Sequence, residues 1–544
     1  MNKKGGVHSI LEVLDHSSIY SILIISILIS LLSLVVPIAA QTLINLVAFG
    51  KLLQPVISLS IMVFVLMAGM GALSIWQTVL IEVIQQKLMV RISLNLAKHF
   101  TQLSPVIFST HNGPELVNRY FEIAVINKAL ASLLLYGITL SLQMFFGLIL
   151  LLFYHPMFLV FDGFILISLL LIIFVPYRIA LNSAQEECAQ KHIIGSWLEE
   201  ILINRYLFKF NEYPRYVIEQ TDKKLVCYLK ARNQHFKQLI KHQIGLYALA
   251  ALATSLLLGL GGYLIINNQL SLGQLVASEI VLGTLIYGFK RLGALLENYY
   301  DLMASVGKID VALNLPLENN HNQETADHLL PSMKSIHLKF EDILLPPRSN
   351  NPHHSPLNAE ASSTNPLLLF FKQEDSCKNL IESLSGLKES LSATIILNGI
   401  PSTQKSLIAL RKHSLLIREP QWFAGTIYQN LVLNHRNVAI DVICELLKKM
   451  NLLEKIMDCP DGLNTLVNDW QTVFTLSELT QLMIVRAIID KPRLLIIDRS
   501  LDDLLVEEVD EVLSLLLALD NTTLIVTTLK TQIQQLPNRV VFTL

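Results

Sequence analysis

Charge is what this chain has least of. Only 16 % of its 544 residues are Asp, Glu, Lys or Arg, and the formal net charge is −2. Nucleic acids are held by dense clusters of Lys and Arg, so this balance argues against a nucleic-acid partner. Cysteine is scarce too. Cys188, Cys227, Cys377, Cys444 and Cys459 include no C-x-x-C pair, so neither a disulfide framework nor a metal site is expected. Long apolar runs are missing after Tyr300, although 52 % of the chain is apolar and its mean hydropathy is +0.49. The apolar residues are therefore concentrated before Tyr300, which points to an integral membrane protein in contact with the lipid bilayer.

Six runs carry them: about Tyr20–Val47, Leu53–Ile84, Leu130–Tyr154, Phe158–Tyr177, Ile244–Ile266 and Leu272–Tyr299. Each is near or above the roughly 20 residues a helix needs to cross the hydrocarbon core. Ser278, Glu279, Lys290 and Arg291 interrupt the last run. Glu279 is a candidate for a polar cavity or transport path, with helix packing as the plainer reading. Met1-Asn-Lys-Lys imitates a secretory signal, but the run after it is too long, and a retained first helix is expected. Basic residues gather at Lys3 and Lys4, from Lys87 to Arg119, and from Arg178 to Arg232, while the alternate loops are nearly bare of them. Both termini and both long polar segments are expected to face the cytosol.

After residue 318 the composition turns polar. Arg348–Pro366, rich in Asn, Ser, Pro and His, is expected to be a flexible insertion, with His353-His354 as solvated loop residues. The most informative stretch is Lys491-Pro-Arg-Leu-Leu-Ile-Ile-Asp498. An apolar strand ending in a carboxylate is the Walker B pattern, whose aspartate at the sheet edge helps hold Mg²⁺.

With Leu476–Ala487 before it and Ser500-Leu-Asp-Asp after it, this stretch resembles the nucleotide-binding domain of ABC exporters. Leu415–Leu431 is similar to the family's Q-loop region, with Phe423, Gly425, Thr426, Ile427 and Asn430 in place. Pro105–Arg119 resembles its F-x-x-x-x-x-G-E-x-x-x-R stretch, although Pro114 separates Gly113 from Glu115. The chain thus resembles a type I ABC exporter half-transporter, with a membrane part closest in kind to bacteriocin and type I secretion exporters. The resemblance implies an α-helical membrane domain over residues 1–317, with six transmembrane helices and long cytosolic extensions. It implies a linker over 318–334 and a C-terminal α/β P-loop NTPase-like (ABC) domain over 335–544, as well as coupling roles for Glu115, Arg215, Arg418, Phe423 and Gly425.

The family's cofactors are ATP and Mg²⁺, and here the chain departs from the pattern. Where the family has a G-x-x-G-x-G-K-S-T loop, Lys372–Leu380 contains no glycine. Lys378 alone matches, Asn379 replaces the Mg²⁺-binding hydroxyl, and Glu374 and Asp375 bring like charge to any phosphate. Gly399 with Lys405-Ser406 imitates the loop but falls too late in the chain. Arg418 replaces the Mg²⁺-sensing glutamine and Thr528 the switch histidine. Arg499 stands at the catalytic glutamate, and a guanidinium cannot accept a proton at ordinary pH. Leu476, Ser477 and Glu478 remain of the signature loop without its glycine pair, so Lys378, Asn379 and Asp498 are at most a vestige of the cofactor site. In ABC dimers each ATP lies between one domain's Walker residues and the other's signature loop, so both composite sites would be damaged.

The expectation is a transport-associated, catalytically silent subunit of the bacterial inner membrane. It would form a homodimer, or a heterodimer with an intact ABC half-transporter. The alternatives are a divergent but active exporter and a non-transport scaffold or regulator on the same fold.

Overall fold

The computed structural model describes residues 16–49, 53–105, 107, 113–210, 213–318, 335–343, 357–370, 380–382, 384–385, 387, 394–401, 410–433, 438–530 and 540–543. They belong to two compact units, Met1–Leu103 with Ile107–Leu317, and Ser104–Val106 with Glu318–Leu544.

The first unit is built of helices: α1 (His16–Leu32), α2 (Val35–Phe49), α3 (Leu53–Thr101), α4 (Gly113–Asn118), α5 (Glu122–Ser132), α6 (Ile138–Tyr154), α7 (Phe158–Phe174), α8 (Tyr177–Ile203), α9 (Tyr213–Ile266) and α10 (Leu272–Leu313). Counted across their turns they make six segments long and apolar enough to cross a membrane, from Ser17–Val47 to Leu272–Leu313. The first is broken at Ser33-Leu34 because Pro37 has no N–H for the Ser33 carbonyl and its ring crowds that turn. With 49 and 54 residues, α3 and α9 run about 74 and 81 Å, more than twice the roughly 30 Å hydrocarbon core. One face of each is buried over part of that length. On α3 the buried residues are Gln77, Ile81, Ile84, Leu88, Ile92 and Leu96, the three-and-four spacing of a single helical stripe. Gln77 donates to Ser26 (2.8 Å) and to Thr139 (3.2 Å), tying α3 to α1 and α6 through polar groups that the apolar interior would otherwise leave unpaired.

The second unit holds a parallel sheet in the order β11–β3–β10–β9–β6: β3 (Leu367–Phe370), β6 (Ser414–Ile417), β9 (Leu494–Asp498), β10 (Thr523–Thr528) and β11 (Val540–Thr543). Alternate residues of a strand face opposite sides, and both sides are covered. Leu368, Ile417, Leu495, Ile497, Leu524 and Val526 join one core cluster, while Leu367, Leu369, Leu494, Ile496 and Ile525 join the other. The second cluster also takes in Leu338, Phe340, Ile395 and Leu397 from an antiparallel sheet of β1 (Leu338–Ile343), β2 (Leu357–Ala361), β4 (Thr394–Leu397) and β5 (Ile400–Pro401). β7 (Gly425–Thr426) and β8 (Leu466–Val467) form a small ribbon beside the short helices α11 (Ile427–Val432), α12 (Ile440–Lys449), α13 (Leu453–Met457) and α14 (Trp470–Val473). Helix α15 (Leu476–Asp490) leads into β9, and α16 (Val506–Leu517) precedes β10.

One expectation needs correction. Within the supposed flexible insertion over 348–366, Leu357–Ala361 forms β2, paired with β1 so that Phe340 faces Ala359 and Leu338 faces Ala361. Ala359 and Ala361 are buried and Glu360 is exposed. This period-two pattern was carried by small residues inside a polar composition, which is why composition concealed it. His353-His354, residues 319–334 and Lys405-Ser406 lie outside the described residues.

Candidate functional site

The site gathers at the C-terminal ends of β9 and β10. Asp498 ends β9 with a side chain that is 1 % exposed. Arg418, just past the end of β6, reaches it: Nε donates to Oδ2 of Asp498 at 2.6 Å. The same guanidinium donates from Nη1 to Glu382 Oε1 at 3.2 Å. On the other carboxylate oxygen, Thr527 of β10 donates from its hydroxyl at 2.7 Å, and Arg499 Nε stands 3.8 Å away. The Ser500 hydroxyl donates to the Arg418 carbonyl (2.6 Å), which fixes the start of the arginine's own loop. Arg499 adopts φ +59°, a left-handed conformation costly for a residue with a side chain, and its N–H is held by the carbonyl and hydroxyl of Thr527.

These residues do not fit Mg²⁺. A magnesium ion needs carboxylate oxygens at about 2.0–2.1 Å in an octahedral shell. Here one oxygen of Asp498 receives a guanidinium N–H and the other a hydroxyl. A cation entering this space would meet the fixed charge of Arg418 and would have to compete with the two donors already on the carboxylate.

The other motif positions are also tied to the chain. Thr528 donates to Asp502, whose second oxygen accepts the Leu529 N–H at 2.9 Å. At the position expected for the signature loop, Thr475 caps α15, accepting from the Glu478 N–H (3.3 Å) while the Glu478 carboxylate accepts the Thr475 N–H (2.7 Å). Lys455 donates to both oxygens of Glu478, at 2.8 and 2.6 Å. The positive end of this helix therefore holds the chain's own carboxylate. Ser477 donates to Glu508 (2.8 Å), and Leu476 is exposed.

Burial by itself raises the Glu478 carboxyl, but the hydrogen bonds from Lys455 and Thr475 outweigh it and hold the group below the usual carboxylate range. A carboxyl lowered in the folded state stabilises above its unfolded value, and that contribution fades as the pH falls through the folded value. Glu478→Gln is expected to lose about 1 kcal/mol at neutral pH and to approach the parent in acid, as the pH falls through the folded value. Urea unfolding at neutral and acid pH measures this, and a pH-independent difference would refute it.

The remaining positions are dispersed. Lys378 and Asn379 lie outside the described residues, as do Glu374, Asp375 and the side chain of Glu115, whose backbone belongs to α4. Arg215 is in the first turn of α9, exposed and paired with Glu219 at 3.2 Å. Phe423 is exposed, and its backbone exchanges hydrogen bonds with the Asn430 amide. A Cβ at Gly425 would come 2.9 Å from the exposed Phe423 ring, which would have to turn aside. Glu279 on α10 has one carboxylate oxygen shut from solvent without a hydrogen-bond partner among the described residues. Sequence reasoning missed Glu382, Thr527 and Lys455, and it quoted Asp502 only within Ser500-Leu-Asp-Asp, without a role. The first three belong to no phosphate-binding pattern, and only the polar residues at the end of the apolar β10 strand gave a signal.

Comparison with known proteins gives this arrangement a setting. Residues 19–288 match the family model of the ABC transporter transmembrane region. The leukotoxin export ATP-binding protein LtxB of Aggregatibacter actinomycetemcomitans is 24 % identical over 296 residues, 51 % of this chain and 39 % of that protein. The alpha-hemolysin translocation ATP-binding protein HlyB of Escherichia coli is 25 % identical over a stretch of the same length and coverage. The match thus spans well under half the length of these relatives. Among solved structures, a bacterial Atm1-family ABC exporter with ATP bound is similar with a TM-score of 0.81, at 14 % identity, over 97 % of this chain and 94 % of that one. Residues 19–288 are thus similar to an ABC transporter transmembrane region, in a chain with the fold of an ABC exporter.

Proposed function

We propose that this chain is a catalytically silent subunit of an exporter-like membrane transporter. It spans the bacterial inner membrane with both termini in the cytosol and dimerises with an ABC half-transporter. The observation that carries this reading is the Arg418–Asp498 ion pair, which puts a covalently attached cation against the carboxylate that holds Mg²⁺ in active members. Three further features support it. Arg499 cannot serve as a base. Thr528 is spent on Asp502, and Glu478 fills the helix end at the signature position. A domain that neither binds metal nor activates water retains a transport role through its membrane helices and its partner.

The test is Mg-ATP binding and hydrolysis by the purified chain in nanodiscs, beside Lys378→Ala. Neither protein is expected to turn over ATP, and an ABC half-transporter is expected to copurify from native membranes. Turnover abolished by Lys378→Ala would overturn the reading and make the chain a divergent pump.

A further inference from the structure

We propose that Glu122, Cys188 and His192 form a binding site for a borderline divalent transition-metal ion, Zn²⁺ above all. One ligand atom from each, a carboxylate oxygen, a thiol sulfur and a ring nitrogen, lies within 4.8 Å of the others. Cys188 and His192 are one turn apart on α8 and share a face, and Glu122 meets them from α5. All three lie on the polar parts of these helices, outside the apolar runs. His192 Nε2 is 3.1 Å from Glu122 Oε1, yet this buried nitrogen has no aligned hydrogen bond. Two such atoms side by side but not pointing at each other have the arrangement of neighbouring ligands around one ion. The edge of a tetrahedral site with bonds of about 2.0–2.1 Å is roughly 3.3–3.4 Å, close to that separation.

The donor set selects the metal. A thiolate and an imidazole discriminate against Mg²⁺ and Ca²⁺, and the carboxylate completes a three-ligand set that Zn²⁺ accepts with a fourth position left for water. Of the three ligands, His192 also borders an open cavity of about 400 Å³ lined by Ser196, Trp197, Lys224 and Lys308, which gives solvent a way to that side of the site. Without an ion the Glu122 charge is balanced by Lys191, whose Nζ is 2.8 Å away. The lysine side chain is 51 % exposed and can turn into solvent when a metal takes over its role. Binding releases the Cys188 proton to solvent and joins α5 to α8 by coordinate bonds.

Zn²⁺ titration of the full chain in nanodiscs against a chromophoric chelator tests the site, with Co²⁺ absorption reporting thiolate ligation. The expected result is about one Zn²⁺ per chain, bound about tenfold or more weakly by His192→Ala and by Cys188→Ser. The thiolate-to-cobalt charge-transfer band should vanish in Cys188→Ser. Lys191→Ala, which removes the competing ammonium, should bind more tightly, a gain that misfolding cannot imitate. Binding unchanged in His192→Ala and Cys188→Ser would overturn the site. So would no binding by both the parent and Lys191→Ala.

Discussion

Replacing Arg418 by glutamine is expected to destabilise the second unit by about 3–5 kcal/mol and to make its stability respond to Mg²⁺. Loss of the guanidinium leaves the buried Asp498 carboxylate without its 2.6 Å partner and removes the bond to Glu382. A buried charge stripped of its counter-ion costs far more than the intact pair contributes, because the pair had already offset its desolvation. Mg²⁺ can then supply the missing charge, so millimolar Mg²⁺ should raise the melting temperature of Arg418→Gln and leave the parent unmoved. Unfolding of the full chain in nanodiscs, followed by tryptophan fluorescence, measures both effects. A loss under about 1 kcal/mol, or equal responses to Mg²⁺, would mean that Arg418 does not hold the metal position.

Trp470→Ala should cost about 3–5 kcal/mol, comparable to other large-to-small changes in a core. Trp470 is 5 % exposed, stacks on Trp422 with ring centroids 4.6 Å apart, and stacks on Phe474 at 5.9 Å. Its indole N–H donates to the Phe423 carbonyl at 3.1 Å. The ring therefore supports the loop that presents Phe423, while Arg486 covers the far side of Trp422 at 4.9 Å. Trp470→Phe keeps the stack but not the hydrogen bond and should cost less, about 1–2 kcal/mol. Urea unfolding of the two variants separates stacking from hydrogen bonding. Equal losses would show that the hydrogen bond, and not the ring stack, carries the stability.

How much of this was readable in the amino-acid order depends on the range of the interaction. The apolar runs, and the β9 strand ending in Asp498, are local patterns set by neighbouring residues, and they fall where expected. Arg499 and Thr528 were likewise legible as departures from the expected pattern, because their positions are counted along the chain from Asp498 and the β10 strand. Strand β2 was not, since Ala359 and Ala361 give a weak signal that only pairing with β1 reveals.

By itself the sequence determined that six segments suit a membrane and which residues stand where a resemblance would place Mg²⁺ binding, water activation and the signature loop. Only the tertiary structure decided what those residues do instead. Arg418 and Asp498 are 80 positions apart, and their meeting depends on β6 lying beside β9 in the sheet. Lys455 on Glu478, and Glu122 beside Cys188 and His192, likewise join separate helices. Periodicity along a chain encodes which face of an element is buried. Which charges then meet across elements is set by the packing, because electrostatic and coordinate bonds act over a few ångströms of space whatever the separation in sequence.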